Sequence, residues 1–287
     1  MFKRQRTGSV VCPGCGHLVG VNDETCYNCG RWNPSLWGLS PMIRRLGQDM
    51  GFVQLIMVGS IGLYLATLVA SGGGLRGGGN IMQFLSPDTR SLVLFGASGA
   101  LPVFGLGHWW TVLSAGWLHG GLLHILFNML WVRQLAPETA ELFGPGRTVI
   151  IYTVAGVVGF TLSSLMGVAL PGVPFVGGAT ITTGASAPIF GLLGALVAYG
   201  RVTGSSHIRA TAWQYAAILF VFGLIGIRVD NWAHAGGFAG GYLSAMWLNP
   251  SARERVDHLL AAVVCLAATL LAVVASLVYS LPLLAGR

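Results

Sequence analysis

Charged residues are scarce in this 287-residue sequence. Asp, Glu, Lys and Arg together make up 9% of the chain, whereas hydrophobic residues make up 54%. Soluble domains carry about 25% charged residues, and the mean hydropathy of this chain is +0.70. The shortage of charge excludes an ordinary soluble domain and predicts a protein that crosses a membrane several times.

The few charges leave uncharged runs that are long enough to cross a bilayer. A spanning helix needs about 20 apolar residues, and the run 148–200 has room for two spans. No cleavable signal peptide is expected, because the N-terminal residues are polar and the first span starts near residue 51. We predict seven membrane helices, at about 51–71, 113–134, 148–169, 185–201, 211–228, 232–248 and 259–282.

The basic residues predict the orientation of these helices. Lys and Arg accumulate on the cytoplasmic side of membrane spans, and a cytoplasmic N-terminus places twelve of them inside and four outside. The net charge of +7 is therefore assigned to topology and to contact with anionic lipid, and no nucleic-acid partner is expected. The inner set is Lys3, Arg4, Arg6, Arg31, Arg44, Arg45, Arg133, Arg147, Arg201, Arg209, Arg253 and Arg255, and the outer set is Arg76, Arg90, Arg228 and Arg287.

Cysteine is also rare, and four of the five cysteines lie in CPGCGHLVGVNDETCYNCG. Two C-x-x-C pairs offer four thiolates to a tetrahedral zinc, and four protein ligands make such a site structural. Two disulfides are the alternative, but the predicted orientation places this segment in the reducing cytosol, where disulfides are rare. The predicted zinc ligands are Cys12, Cys15, Cys26 and Cys29, and the sequence indicates no partner for this zinc knuckle.

Polar side chains inside the predicted spans are costly and need a reason. The second span carries His119, His124 and Asn128, of which the last two are four residues apart and share a helix face. Interhelical hydrogen bonding, worth about 1 kcal/mol, is the structural alternative. Three polar groups in one span favour a functional site.

Glycines surround the histidine of the sixth predicted span. His234 precedes Gly236, Gly237, Gly240 and Gly241 in NWAHAGGFAGGY. Glycines at a spacing of four let two helix backbones approach closely. This span is therefore predicted to deliver His234 to a neighbouring helix, with a satisfied buried histidine as the alternative.

Two serines lie in similar small-residue turns, Ser98 in GASG and Ser186 in GASA. Such a turn can present a nucleophile. Ser186 begins the fourth span, which descends from the outer face as do the spans that carry His124 and His234. Ser98 lies in the long outer loop after the first span, where we expect a flexible turn, so Ser186 is the predicted nucleophile.

Acidic residues are absent from the middle of every predicted span. A transporter that relays protons through buried histidines needs intramembrane carboxylates, so this class is disfavoured. Asp230 lies four residues before His234, and a Ser-His-Asp triad is therefore an alternative. Because Asp230 lies beside Arg228 at the outer end of the span, we expect it to be hydrated and expect a Ser-His dyad.

The motifs resemble those of the rhomboid intramembrane serine proteases. They are H-x4-H-x3-N in the second span, G-x-S at the start of the fourth, A-H-x-G-G in the sixth, and GHWW at 107–110. Departures are Ala187 after the serine, Thr111 after the tryptophans, and Phe190 where a tyrosine stacks under the histidine in some members. The resemblance implies that Ser186 is the nucleophile, that His234 is its general base, that His124, Asn128 and the Ser186 amide form the oxyanion hole, and that His119, Gly184 and Gly237 give structural support.

The resemblance also implies the fold and the location. The expected architecture is an all-α, polytopic, six-helix rhomboid-like core at 51–250, a seventh helix at 251–287, a zinc-ribbon-like cytoplasmic domain at 1–31 and a linker at 32–50. The implied enzyme lies in the lipid bilayer of a bacterial inner membrane and cleaves transmembrane segments of other proteins near the outer face, with no cofactor for catalysis. The alternative is a non-catalytic rhomboid-like protein that binds or escorts transmembrane clients.

Overall fold

The computed structural model describes residues 4–41, 49–72, 84–173, 177–225, 229–252 and 254–285. The N-terminal segment forms an antiparallel hairpin of β1 (Ser9–Val11) and β2 (Leu18–Gly20), with Val10 opposite Val19. A π-helical turn lies at Leu101–Gly105 and a 3-10 turn at Ala115–Trp117. The α-helices are α1 (Phe52–Ala70), α2 (Thr89–Leu94), α3 (Thr111–Ser114), α4 (Leu122–Phe143), α5 (Pro145–Ala169), α6 (Ser186–Thr203), α7 (Ser206–Ile225), α8 (Asn231–Trp247) and α9 (Val256–Ala285).

A helix occupies the position of every predicted span. Among the described residues, four of these helices, α1, α5, α6 and α9, are long and apolar enough to cross a membrane by length and composition. The helix α4 carries Arg133, Glu138 and Glu141 in its second half, and α8 is only 17 residues long. The mostly helical fold with a cysteine cluster in front of it and a C-terminal helix behind it is therefore confirmed. Of the basic residues that define the predicted orientation, Lys3, Arg44, Arg45, Arg76, Arg228, Arg253 and Arg287 lie outside the described residues.

The predicted start of the second span is wrong. The helix α4 begins at Leu122, and the preceding residues form the short α3, a 3-10 turn at Ala115–Trp117 and an extended residue, Leu118. Two successive glycines, Gly120 and Gly121, interrupt the apolar run, and glycine disfavours a helix interior because of its conformational freedom. His119 consequently lies in a loop.

The helix α6 is the centre of the bundle. In α6, 72% of the most apolar 18-residue stretch is buried, compared with 22% of the corresponding stretch in α9 at the periphery. Glycine allows α8 to contact α6 backbone to backbone, because a Cβ on Gly241 would overlap the Gly191 backbone and one on Gly237 would overlap the Ala187 carbonyl. Such contacts hold the two helices in one register.

The loop around Ser98 is buried, so the expected flexible turn is wrong. The Ser98 amide donates to the Thr182 carbonyl at 3.0 Å, and the Thr182 amide donates back to Ser98 at 2.8 Å. Ser98 has no exposed surface, because this two-residue bridge satisfies its backbone inside the protein. The first GAS turn therefore supports the segment that leads into the second.

The C-terminal helix α9 contacts the core near both of its ends. Near one end, the Trp110 indole N–H donates to Ser276 Oγ at 3.1 Å, and the Trp110 ring lies 5.2 Å from that of Tyr279. At the other end, Glu254 just before α9 accepts the Arg147 amide at 3.0 Å. The helix α9 is therefore tied both to the loop before α4 and to the start of α5.

Candidate active site

Ser186 is the first residue of α6, and its approach turn is fixed by backbone contacts. Gly184 has φ +130°, a conformation that side chains rarely adopt, and its amide donates to the Ala115 carbonyl at 3.0 Å. The amide of Ala185 points at His119 Nε2, 3.5 Å away. His119 is fully buried beside this turn, and its structural role stays a prediction.

His234 lies in the first turn of α8 and is 5% exposed. Its ring stacks on Phe190 with a centroid distance of 4.2 Å and an interplanar angle of 17°. Phe190 is four residues after Ser186, so both side chains lie on one face of α6. The stacking therefore brings His234 to the helix face that carries Ser186.

Close packing of α5 against α6 and α8 fixes the positions of Ser186 and His234 along their helices. A Cβ added to Gly159 would lie 2.5 Å from the Ala233 carbonyl oxygen and 3.0 Å from Ala187 Cβ. Ala233 precedes His234 and Ala187 follows Ser186. Gly159 therefore contacts a direct neighbour of each residue.

His124 lies on α4 and faces the turn before Ser186. A Cβ on Gly184 would lie 2.5 Å from His124 Nε2 and 3.6 Å from Ser186 Oγ, so both atoms border the same small space. The Gly120 amide donates to His124 Nδ1 at 3.3 Å. A neutral histidine that accepts at Nδ1 carries its proton on Nε2, so the nitrogen that borders this space is a donor.

Asn128 lies one turn after His124 on the same helix and is buried. Its side-chain amide donates to the His124 carbonyl at 2.9 Å. An asparagine amide carries two N–H donors, so this bond leaves the second N–H for another acceptor. The predicted shared face of His124 and Asn128 agrees with this arrangement.

Asp230 is partly exposed and caps the start of α8, so its hydration stays a prediction. Its Oδ1 accepts the Ala233 amide at 3.0 Å and its Oδ2 accepts the Ser163 hydroxyl at 2.5 Å. Within the described part of the chain, His234 Nδ1 has no hydrogen-bond partner. Arg228, the charged residue beside which Asp230 was expected to be hydrated, lies outside the described residues.

The cysteine cluster is a separate site at the N-terminus. The Sγ atoms of Cys12, Cys15, Cys26 and Cys29 all lie within 4.8 Å of one another, and no cysteine of the chain is in a disulfide. The separations are 3.8 Å for Cys12 to Cys29 and 3.6 Å for Cys15 to Cys26. Four thiolates placed tetrahedrally at about 2.3 Å from one zinc lie about 3.8 Å apart, so the cluster has the dimensions of a metal site.

Polar groups stabilise the thiolate of Cys15, whereas burial raises the pKa of the Cys12 thiol. A hydrogen bond from the Asn28 side chain, assisted by the His17 amide, lowers the pKa of Cys15 to about 5. The thiolate is the form that binds metal.

Two contributors to the active-site geometry are backbone groups that the sequence does not reveal. The Ala115 carbonyl anchors Gly184, and the Gly120 amide sets the proton position on His124. Every residue carries such groups, so residue type gives no signal for them. A partial signal is the glycine pair at 120–121, which marks a break in the apolar run.

Comparison with known proteins assigns the family. The model of the Rhomboid domain matches residues 106–251. The chain is 32% identical over 186 residues to "Rhomboid protease GluP" of Bacillus subtilis (strain 168), an alignment that covers 63% of this chain and 34% of that protein. It is 34% identical over 254 residues to "Rhomboid-like protease 5" of Toxoplasma gondii, covering 83% of this chain and 27% of that protein.

A plant relative shows a similar sequence identity. "RHOMBOID-like protein 7" of Arabidopsis thaliana is 32% identical over 167 residues, covering 55% of this chain and 49% of that protein. The chain thus spans half or less of the length of these relatives. The matched domain contains α4 to α8 and the whole of the candidate site. This protein belongs to the rhomboid family.

Proposed function

We propose that this protein is an intramembrane serine endopeptidase that cleaves transmembrane segments of other membrane proteins with a Ser186–His234 dyad. The observation that carries the proposal is the stacking of His234 on Phe190, one turn from Ser186 on the same helix face. A histidine base next to a serine is the arrangement that activates a weak nucleophile. Two of the relatives named above carry protease in their names.

The dyad would work by acyl transfer. His234 takes the proton from Ser186 Oγ as that oxygen bonds to the scissile carbonyl carbon, and the tetrahedral intermediate carries the negative charge on the former carbonyl oxygen. The intermediate then expels the amine, which receives the proton from His234, and leaves an ester on Ser186. Water, deprotonated by His234, hydrolyses that ester and regenerates the serine.

Three donors are proposed to stabilise the oxyanion. His124 contributes its Nε2–H, Asn128 its second amide N–H, and Ser186 its backbone N–H, which is free of intrahelical bonding because it lies in the first turn of α6. Donors that are already oriented towards the developing charge stabilise the transition state, and loss of one such donor costs about 10² to 10³ in kcat.

We prefer a dyad to a triad because the carboxylate of Asp230 has other hydrogen-bond partners. Its two carboxylate oxygens accept from Ser163 and from the first turn of α8. Packing on Phe190 then orients the His234 ring in place of a carboxylate.

We also propose the arrangement of the whole chain. Residues 1–31 form a cytoplasmic domain with one structural zinc held by the four cysteines, 32–50 a linker, 51–250 the catalytic core and 251–287 the seventh membrane helix. The count of basic residues supports a cytoplasmic N-terminus. In that orientation Ser186 lies towards the outer face of the membrane. The membrane that we propose is a bacterial inner membrane.

The experiment is a cleavage assay in proteoliposomes that contain a single-span model substrate with small residues in its outer half. Wild type should cleave it, and Ser186→Ala and His234→Ala should each lose at least 10³-fold of the rate. The matched control is Ser98→Ala, which alters the equivalent serine of the first GAS turn and should retain most of the rate. A wild-type protein that binds the substrate without cleaving it would instead favour a non-catalytic escort.

A further inference from the structure

An open cavity of about 480 Å³ lies among α6, α7 and α8, at the end of α6 opposite Ser186. It has no part in the proposed peptide hydrolysis. Its lining combines two cations with an apolar wall. The main lining residues are Arg201, Arg209, Trp213, Phe238, Tyr242 and Leu243.

The two arginines are exposed, and one of them is oriented by a lining residue. Arg201 Nη1 donates to the Tyr242 hydroxyl at 2.7 Å. No carboxylate lines the cavity, and among the described residues neither Arg201 nor Arg209 forms an ion pair. Two guanidinium groups beside one cavity, without an acidic partner, leave a positive site for an anion.

The fold brings these arginines together from two helices. Two residues separate the end of α6 from the start of α7, and one of them is Gly204 at φ +76°. A Cβ on Gly200 would lie 2.8 Å from Arg209 Cβ, so the absence of a side chain there lets the start of α7 pack on α6. This contact fixes the stem of Arg209 beside Gly200, the residue that precedes Arg201.

The other wall of the cavity is apolar and open. The rings of Trp213 and Phe238 lie 4.9 Å apart. Trp213 is 52% exposed and Leu243 is 65% exposed. In a membrane protein, apolar surface of this kind contacts acyl chains, and an arginine at the end of the span reaches the phosphate level.

We propose that this cavity binds one anionic phospholipid, with the headgroup phosphate on Arg201 and Arg209 and an acyl chain along Trp213, Phe238 and Leu243. Charge complementarity selects an anion, and the apolar wall selects a lipid over a soluble phosphate. The predicted orientation places the cavity in the cytoplasmic leaflet, where anionic lipids give a negative surface potential.

The test counts bound lipid by native mass spectrometry on the full chain in neutral detergent. Wild type should retain phosphatidylglycerol in preference to phosphatidylcholine, and added glycerol phosphate should not displace it. Arg201→Gln and Arg209→Gln should each weaken phosphatidylglycerol binding about fivefold, and the double variant about thirtyfold. Trp213→Ala should weaken the retention of both lipids.

The matched control is Arg133→Gln, which removes an exposed arginine on α4 that lies outside the cavity. It should bind phosphatidylglycerol as wild type does. The thermal midpoint of each variant in neutral detergent establishes that it is folded. Equal retention of the two lipids by wild type, an unchanged double variant, or displacement by glycerol phosphate would each overturn the proposal.

Discussion

Gly159→Ala tests whether catalysis depends on the close packing of α5, α6 and α8. The added Cβ would lie 2.5 Å from the Ala233 oxygen, whereas an ordinary contact begins at 3.4 Å. The helices would therefore have to separate by about 0.9 Å next to His234, and a misplacement of about 1 Å can cost 10²-fold in rate. We expect kcat to fall about 10²-fold.

The substitution should also lower stability, because overpacking of a core costs about 1 to 3 kcal/mol. The assay is kcat per folded molecule on the model substrate, together with the thermal midpoint. The matched control is Gly62→Ala on α1, where an added Cβ meets nothing within 4 Å and activity should stay within about twofold. A Gly159→Ala protein with a lowered midpoint and an unchanged kcat would refute the link between helix packing and catalysis.

Two further predictions concern Asp230 and the cysteine cluster. Asp230→Asn should keep kcat within about tenfold, because asparagine is an equally good helix cap and the carboxylate does not orient His234. Loss of an orienting Asp from a triad costs about 10⁴ in kcat. A fall of three or more orders of magnitude in a folded variant would therefore support a triad. Changing Cys12 and Cys15 to Ser should release about one zinc per chain, measured by metal analysis, and unfold residues 8–31. The protease activity of this variant in detergent should persist. If the activity of a protein that lacks the zinc knuckle still rises and falls with its zinc content, a purely structural metal is refuted.

The sequence predicted those features that depend on residue type at a regular spacing. Uncharged runs located the helices, glycines at a spacing of four predicted the close approach of α8 to a neighbouring helix, and the two C-x-x-C pairs located the cysteine cluster. These patterns work because helix periodicity and metal geometry impose them on the sequence. Phe190 occupies the position at which some rhomboid proteases stack a tyrosine under the histidine, and it stacks on His234.

Two of the features that the sequence did not predict depend on polar groups that meet across the fold, and a third is local. Ser98 is buried because its amide and carbonyl pair with Thr182, far away in the chain. Asp230 caps α8 through the Ala233 amide, and its second oxygen accepts the hydroxyl of Ser163 on α5. The late start of α4 follows from a local glycine pair within an otherwise apolar run. Tertiary hydrogen bonds of this kind have no local periodicity from which they could be predicted.

The most direct test of the central proposal is covalent labelling of the purified protein with a fluorophosphonate, followed by mapping of the modified peptide by mass spectrometry. The reagent bonds readily to a serine whose oxygen is activated by a base. Wild type should carry one label per chain on Ser186, Ser98→Ala should label equally, and His234→Ala should show almost no label while it remains folded. Labelling that survives in Ser186→Ala, or that persists without His234, would contradict the dyad.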